Sequence, residues 1–185
     1  TLYNAVLRAE LNVTERSPHS MTVRYVDLSE DAAIAGTYKD FKFVNSTEYP
    51  IYIEGYTTSD KKITFNIYGK ETRDKNRTIS FESQMVSETP ATTILQEDAG
   101  QGIGYKAVSS KGSSGYVAEL YKIVKVNGVE TDRIKVNKST YKGTNRVVTY
   151  GTAGDPTLSE NLRAAIAAQD EALADANIAA AVPAQ

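Results

Sequence analysis

FKFVNSTEYPIYIEGYTTSDKKITFNIYG, Phe41 to Gly69, is the stretch on which the reading of the chain turns. Ile51 and Ile53 alternate with Tyr52 and Glu54, and Ile63, Phe65 and Ile67 alternate with Thr64, Asn66 and Tyr68. A period of two sends successive side chains to opposite faces, so each run is expected to be a strand with one buried face. Thr57 to Lys62 between them is polar and contains Ser59-Asp60, a turn composition, which makes the pair a hairpin. Phe41 to Asn45 is expected to add a third strand, with Pro50 near a strand start, where its missing N–H costs least. The hairpin is a scaffold and shows no chemistry.

Upstream, Leu2, Ala5, Val6 and Ala9 recur at helical spacing and predict a short helix from Thr1 to about Glu10. A connection through Asn12 to Ser20 then leads to Met21, Val23 and Tyr25, whose alternation predicts a first strand. Asp27-Leu28-Ser29-Glu30-Asp31 is expected to be a solvated polar turn. Its Asp27, Glu30 and Asp31 offer hard oxygen ligands, but not at calcium-loop spacing, so no metal is expected.

Downstream, Lys70 to Arg77 is charged and loop-like and suggests a domain boundary. Thr78 to Met85, Val117 to Val126, Arg133 to Val136 and Arg146 to Tyr150 are strand candidates. Asn127-Gly128 is the strongest hairpin signal, because both residues tolerate the positive φ of a tight primed turn. Gly100-Gln101-Gly102-Ile103-Gly104 lacks the Lys-Ser/Thr and the strand-to-helix setting of a phosphate loop, so it is expected to turn the chain. Thr157-x-x-Glu160 after Pro156 has the form of a capping box, and Leu162, Ile166 and Leu173 follow at helical intervals. Residues 154–185 hold 11 alanines and no aromatic residue, which predicts a surface or spacer helix ended by Pro183, with docking or assembly as the sharper alternative.

The 185 residues carry a formal charge of -2, too little for a general attraction to nucleic acid or anionic membrane, and no basic run interleaved with aromatics points to nucleic acid. Charge is uneven: -1 over residues 1–73, +3 over 74–153 and -4 over 154–185. An attraction between the mildly basic middle and the acidic tail, or between the middle and an acidic polymer, is expected to be weak and salt-sensitive. No apolar run approaches the ~20 residues needed to span a bilayer. The absence of cysteine excludes a disulfide, a thiolate nucleophile and a zinc–thiolate site. With neither a signal peptide nor an initiating Met, Thr1 is expected to begin a fragment or a processed chain.

Thr1-Leu2-Tyr3-Asn4-Ala5-Val6-Leu7, Glu15-Arg16-Ser17-Pro18-His19-Ser20, Tyr25-Val26, Asp31-Ala32, Asp40-Phe41-Lys42-Phe43, Asn45, Tyr49-Pro50-Ile51, Ile53-Glu54 and Ile67-Tyr68-Gly69 follow one another in an order and spacing that resembles the C-terminal half of the VanW family. The resemblance implies a glycine-rich segment with a Cys-Gln pair just before the equivalent of Thr1. Farther on, Gly115-Tyr116, Tyr121, Asn127-Gly128-Val129-Glu130, Ser139-Thr140-Tyr141 and Val147 to Thr152 resemble the small all-β five-glycine domains that often follow VanW-like domains in bacterial surface proteins. That second likeness implies aminosugars of peptidoglycan as a ligand class.

His19 is the only histidine, so any imidazole acid–base step must use it, with Glu15 and Arg16 as neighbours in sequence. The resemblance pairs it with the upstream cysteine, a thiol hydrolase or transferase combination that cannot operate in a chain lacking cysteine. A structural hydrogen-bonding role is the plainer expectation. Ser17 or Ser20 as a nucleophile activated by His19 has no supporting motif, and Thr1 as an N-terminal nucleophile conflicts with the family pattern continuing upstream. Four Asn-x-Ser/Thr sequons, at Asn12, Asn45, Asn76 and Asn137, are expected from a Thr/Ser-rich composition. Among twelve tyrosines, Tyr105, Tyr116 and Tyr141 lie near glycine-rich turns and are the candidates for stacking on a sugar ring, whereas Tyr52, Tyr56 and Tyr68 are accounted for by cross-strand pairing.

The expected architecture is α+β and mostly β. A VanW-like α+β half-domain at 1–73 precedes a five-glycine-like β module at 74–153 and a helical tail at 154–185. The expected function is a non-catalytic bacterial cell-surface protein, extracellular and without a cofactor, that binds or organises wall polymer. The alternatives are a peptidoglycan-modifying or glycopeptide-resistance accessory enzyme with its cysteine upstream, and a fibre subunit that self-associates through residues 155–185.

Overall fold

A seven-residue helix is too short to stand alone in water, so α1 (Leu2–Arg8) exists through what it buries. Tyr3, Val6 and Leu7 carry its buried side, a step round from the predicted stripe. Tyr3 and Leu7 form a core with Leu120, against which Val13, Ala32, Phe41, Phe81 and Val136 pack. The computed structural model describes residues 2–181; Thr1 and Pro183, proposed from sequence as a nucleophile candidate and a helix stop, lie outside them.

Strand β1 (Asn12–Arg16) pairs antiparallel with β2 (Phe41–Val44), with Arg16 opposite Phe41. This corrects two expectations: Asn12 to Arg16 is strand rather than connection, and Phe41 to Val44 leaves the hairpin for β1. The reason is aromatic. Phe41 lies edge-on to Tyr3 at 5.4 Å and stacks on Phe43 at 5.5 Å, so its side chain finds apolar cover at α1. Met21 to Val26 forms no strand; Met21 and Tyr25 are exposed, and an alternating run with nothing to pack against stays irregular. The hairpin itself forms as read, β3 (Tyr52–Thr57) on β4 (Ile63–Tyr68), with Tyr52 opposite Tyr68. Its apolar face is less covered than the pattern predicts, since Ile53 and Ile63 remain exposed.

Strands β5 (Arg77–Thr89), β8 (Gly115–Val126) and β9 (Val129–Tyr141) form a sheet ordered β5-β8-β9. Asn127 and Gly128 join β8 to β9 with φ of 51° and 80°, the left-handed pair that a primed two-residue turn demands. The remaining strands, β6 (Thr93–Gly102), β7 (Lys106–Ser113) and β10 (Thr144–Ala153), form a second sheet in which central β10 runs parallel to β6 and antiparallel to β7. The fold is therefore α+β and mostly β. Its compact units do not follow chain order. One comprises Thr1–Glu88 with Tyr116–Lys142, the other Thr89–Gly115 with Gly143–Gln185.

In the second unit, the Ala-rich tail is part of the core. It forms two helices, α2 (Pro156–Ala167) and α3 (Glu171–Ala181). Leu162, Ala165, Ile166 and Ala174 pack with Leu95, Val148 and Tyr150 of the sheet. The expectation of one surface helix fails for two reasons. Alanine permits close approach, so a thin apolar stripe suffices to cover a sheet. Gln169, at φ 55°, ends the first helix, and its side-chain amide accepts from Leu95 N–H and donates to Leu95 C=O. The N-cap also differs: Asp155, not Thr157, accepts the Leu158 N–H, which places Pro156 at the first helical position, where no N–H is needed.

Candidate functional site

The polar centre of the first unit is Asp31. The five-residue run expected to be a solvated turn instead turns inward, with Ser29 and Asp31 fully buried. A carboxylate removed from water must have its lone pairs filled, and here four donors fill them. Oδ1 accepts from Arg16 Nη2 at 3.0 Å and from the Tyr141 hydroxyl. Oδ2 accepts from the His19 backbone N–H at 2.6 Å and meets His19 Nδ1 at 2.7 Å.

The surrounding groups are held as firmly. Arg16, near the end of β1, donates from Nε to the Asp31 carbonyl at 2.7 Å and from Nη1 to Ser139 Oγ at 2.7 Å, and its guanidinium lies 5.4 Å from the Tyr3 ring centroid. The Tyr141 hydroxyl accepts the Ser29 N–H at 2.7 Å, and Asn137 Nδ2 donates to the Tyr3 hydroxyl at 2.7 Å. Among the described residues no buried side-chain polar atom lacks a partner. Burial alone would raise the Asp31 pKa, but the His19 and Tyr141 hydrogen bonds and the Arg16 charge outweigh it and hold the carboxyl below its ordinary value. Tyr141 moves the opposite way, raised by burial and by its bond to the carboxylate.

Chemically, this is an imidazole anchored through Nδ1 to a buried carboxylate, with the ring a third exposed and edge-on to Tyr25 at 6.3 Å. Such an anchor fixes the orientation of a ring, and leaves Nε2 as the atom able to exchange a proton. No described Ser or Thr hydroxyl hydrogen-bonds that ring: Ser20 Oγ takes a bond from Lys39, and Ser17 contributes its carbonyl to Ala33 N–H. Of the three residues grouped from sequence, Arg16 and His19 converge on Asp31, while Glu15 pairs at the surface with Lys42 at 2.7 Å. Asp31 is the partner that sequence reasoning missed. The available signal was the Asp31-Ala32 step, already part of the family resemblance.

A second ionic group sits at the end of α1. Glu10 accepts from Arg77, Lys122 and Arg73, and the Arg77 bond is the main reason its carboxyl lies far below the usual range despite partial burial. It borders a groove of about 900 Å³ between α1 and the hairpin, with Ala5, Ala9, Ile51, Phe65 and Ile67 on its apolar side and Arg8, Lys70 and Arg73 among its charged residues.

The candidate tyrosines separate. Tyr105 is 40 % exposed, and Tyr116 is half-buried with its hydroxyl donating to Glu88. Tyr141 is 2 % exposed, which corrects the expectation that its turn-proximal position leaves it open: β9 carries it inward to Asp31. Gly100 and Gly102 lie in the last part of β6, and Gly104, at φ 105°, turns the chain toward β7. Among the described residues no group of three or more acidic or histidine side chains could hold a metal, and no helix is long and apolar enough to cross a membrane.

Residues 1–68 match the family model described as VanW like protein, and residues 81–153 match the G5 domain. The chain is similar to the uncharacterized protein YoaR of Bacillus subtilis (strain 168), with 42 % identity over 53 residues that make up 29 % of this chain and 18 % of that relative. The match therefore spans less than a fifth of the relative's length. Among solved structures, the IgA1 protease G5 domain aligns over 45 % of this chain and 100 % of its own, with 24 % identity and a TM-score of 0.32.

Proposed function

With residues 1–68 forming a VanW domain and residues 81–153 a G5 domain, we propose that this protein works at the bacterial cell surface by binding or organising wall polymer and carries no reaction centre of its own. The pairing of the two domains fits a bacterial surface protein. The observation that carries the finer reading is the exposure of the G5 strands. Gln84 to Thr89 of β5 and Val129 to Lys135 of β9 are exposed at every successive position. Since neighbouring residues in a strand point to opposite faces, both sides of these stretches meet water. These outer strands enclose no reaction cavity and offer exposed surface to an extended ligand, while Ile123 and Val124 of the central β8 stay buried. Three of the four bonds to the Asp31 carboxylate, from Arg16, the His19 N–H and Tyr141, tie distant segments of the fold together.

Purified chain incubated with insoluble peptidoglycan is expected to sediment with it at low salt and to be released as salt rises. Absence of retention at low salt overturns the proposal.

The His19–Asp31 pair favours a second reading, in which the VanW domain of a longer chain is a thiol enzyme, with the cysteine implied by the family resemblance as nucleophile and His19 Nε2 as its base. In a chain extended to include that cysteine, thiol alkylation near neutral pH is then expected to slow at least tenfold on His19→Ala. An alkylation rate indifferent to His19 removes this reading.

A further inference from the structure

The outer face of the β3–β4 hairpin is aromatic and open. Tyr52, Tyr56 and Tyr68, expected from sequence to be taken up by cross-strand pairing, are 65 %, 47 % and 53 % exposed. Tyr52 and Tyr68 do face one another across the strands, with ring centroids 6.1 Å apart and planes 30° from parallel, but neither covers the other. Between them and Tyr56 lies the Glu54–Asn66 cross-strand pair. Glu54 Oε2 accepts from Asn66 Nδ2 at 2.9 Å and from the Tyr68 hydroxyl at 3.1 Å. The face therefore has ring surfaces at its ends and a polar strip in the middle. Four residues of strand place Tyr56 roughly 13 Å from Tyr52.

From this geometry we propose that the hairpin face formed by Tyr52, Glu54, Tyr56, Asn66 and Tyr68 binds a neutral glycan strand. A sugar ring has an apolar face of C–H groups and an equatorial rim of hydroxyls, and the face offers each its complement: tyrosine rings for the first, carboxylate and amide for the second. A purely apolar protein partner would bury the remaining hydrogen-bonding capacity of Glu54 and Asn66 unfilled, which disfavours it. The Glu54 carboxylate repels polyanions, which selects uncharged over acidic polymer. The site lies in the VanW domain, outside the G5 strands invoked for wall association, and it rests on that reading only for the source of the glycan.

The test uses the whole chain with a β-1,4-linked N-acetylglucosamine tetramer as probe, amide chemical shifts as readout, and peptidoglycan co-sedimentation in parallel. Saturable shifts confined to residues 51–69 are expected, with affinity falling at least tenfold in the Tyr52→Ala/Tyr68→Ala double variant while its thermal melt stays unchanged and a Tyr38→Ala variant, at an exposed tyrosine outside the hairpin, keeps full affinity. Glu54→Gln, which keeps the hydrogen-bonding shape, is expected to retain binding. Co-sedimentation without hairpin shifts overturns the hairpin site and leaves the wall-binding reading standing. Hairpin shifts without co-sedimentation support the site and overturn the wall as its source. A concentration-dependent dimer abolished by the double variant, without tetramer binding, overturns the glycan in favour of a second copy.

Discussion

The two compact units bury different chemistry at their centres. In the first, Asp31 draws β1, the loop after it and β9 together through Arg16, His19 and Tyr141, and only a modest apolar core surrounds α1. In the second, Leu95, Val148 and Tyr150 meet Leu162, Ala165 and Ile166, and the charges stay at the rim, where Lys106 and Arg146 bind Glu171 and Lys106 also binds Asp175. An apolar core is non-directional and tolerates repacking, whereas a buried carboxylate with four fixed donors permits one arrangement of the segments supplying them. The first unit is thus specified by geometry, the second by volume.

Removing the geometry is the harshest way to break this contrast. Asp31→Asn leaves the Arg16 guanidinium buried without a counter-charge and is expected to cost about 3–5 kcal/mol, measurable by urea denaturation. Hydrogen exchange should show the loss in the first unit. If protection falls equally in both units, the separation is wrong. Leu162→Ala attacks the second unit and is expected to cost about 2–4 kcal/mol through the cavity it leaves, with exchange rising around β6, β10 and the helices. Gly151→Ala brings a side-chain carbon within 2.3 Å of the Gly102 carbonyl oxygen on β6, so the β6–β10 pairing must shift; about 1–3 kcal/mol is expected from such overpacking.

Acid sharpens the comparison without mutation. The Asp31 carboxyl is depressed in the folded state, so its contribution is complete above the ordinary carboxylate value of 3.8 and is lost as pH falls through the lower folded value. The partly buried Glu10, depressed mainly by Arg77, acts in the same direction over the same acid range. Amide protection in the first unit, corrected for intrinsic exchange, should therefore decline on acidification below about pH 4, and Asp31→Asn should flatten that decline. A slope unchanged by the substitution would falsify the assignment. The smallest effect is expected at Tyr105, which is exposed: Tyr105→Ala should change stability by less than about 0.5 kcal/mol, read from the thermal midpoint.

Legibility in the sequence followed the range of the interaction. The hairpin at Tyr52–Tyr68, the Asn127-Gly128 turn and the long β8 strand were readable, and β9 only over Arg133 to Val136, because alternation and turn chemistry are set by residues adjacent in the chain. Met21 to Val26 misled for the same reason: its alternation is real, but no apolar surface receives it. The exposure of Tyr52, Tyr56 and Tyr68 was hidden because pairing across a strand and burial are separate events, and a two-residue period cannot say which face is covered.

The amino-acid order by itself determined the mostly β α+β class, the VanW and G5 domains and the lack of any thiol, since composition, short-range period and motif spacing are properties of the chain. Tertiary structure alone decided that Asp31 turns inward, that Arg16 reaches Ser139 across 123 residues, and that the alanine-rich tail closes a core. Those outcomes depend on which distant groups can satisfy a desolvated charge or cover an apolar sheet. Such partners are chosen by three-dimensional closure, which leaves no periodic trace in the sequence.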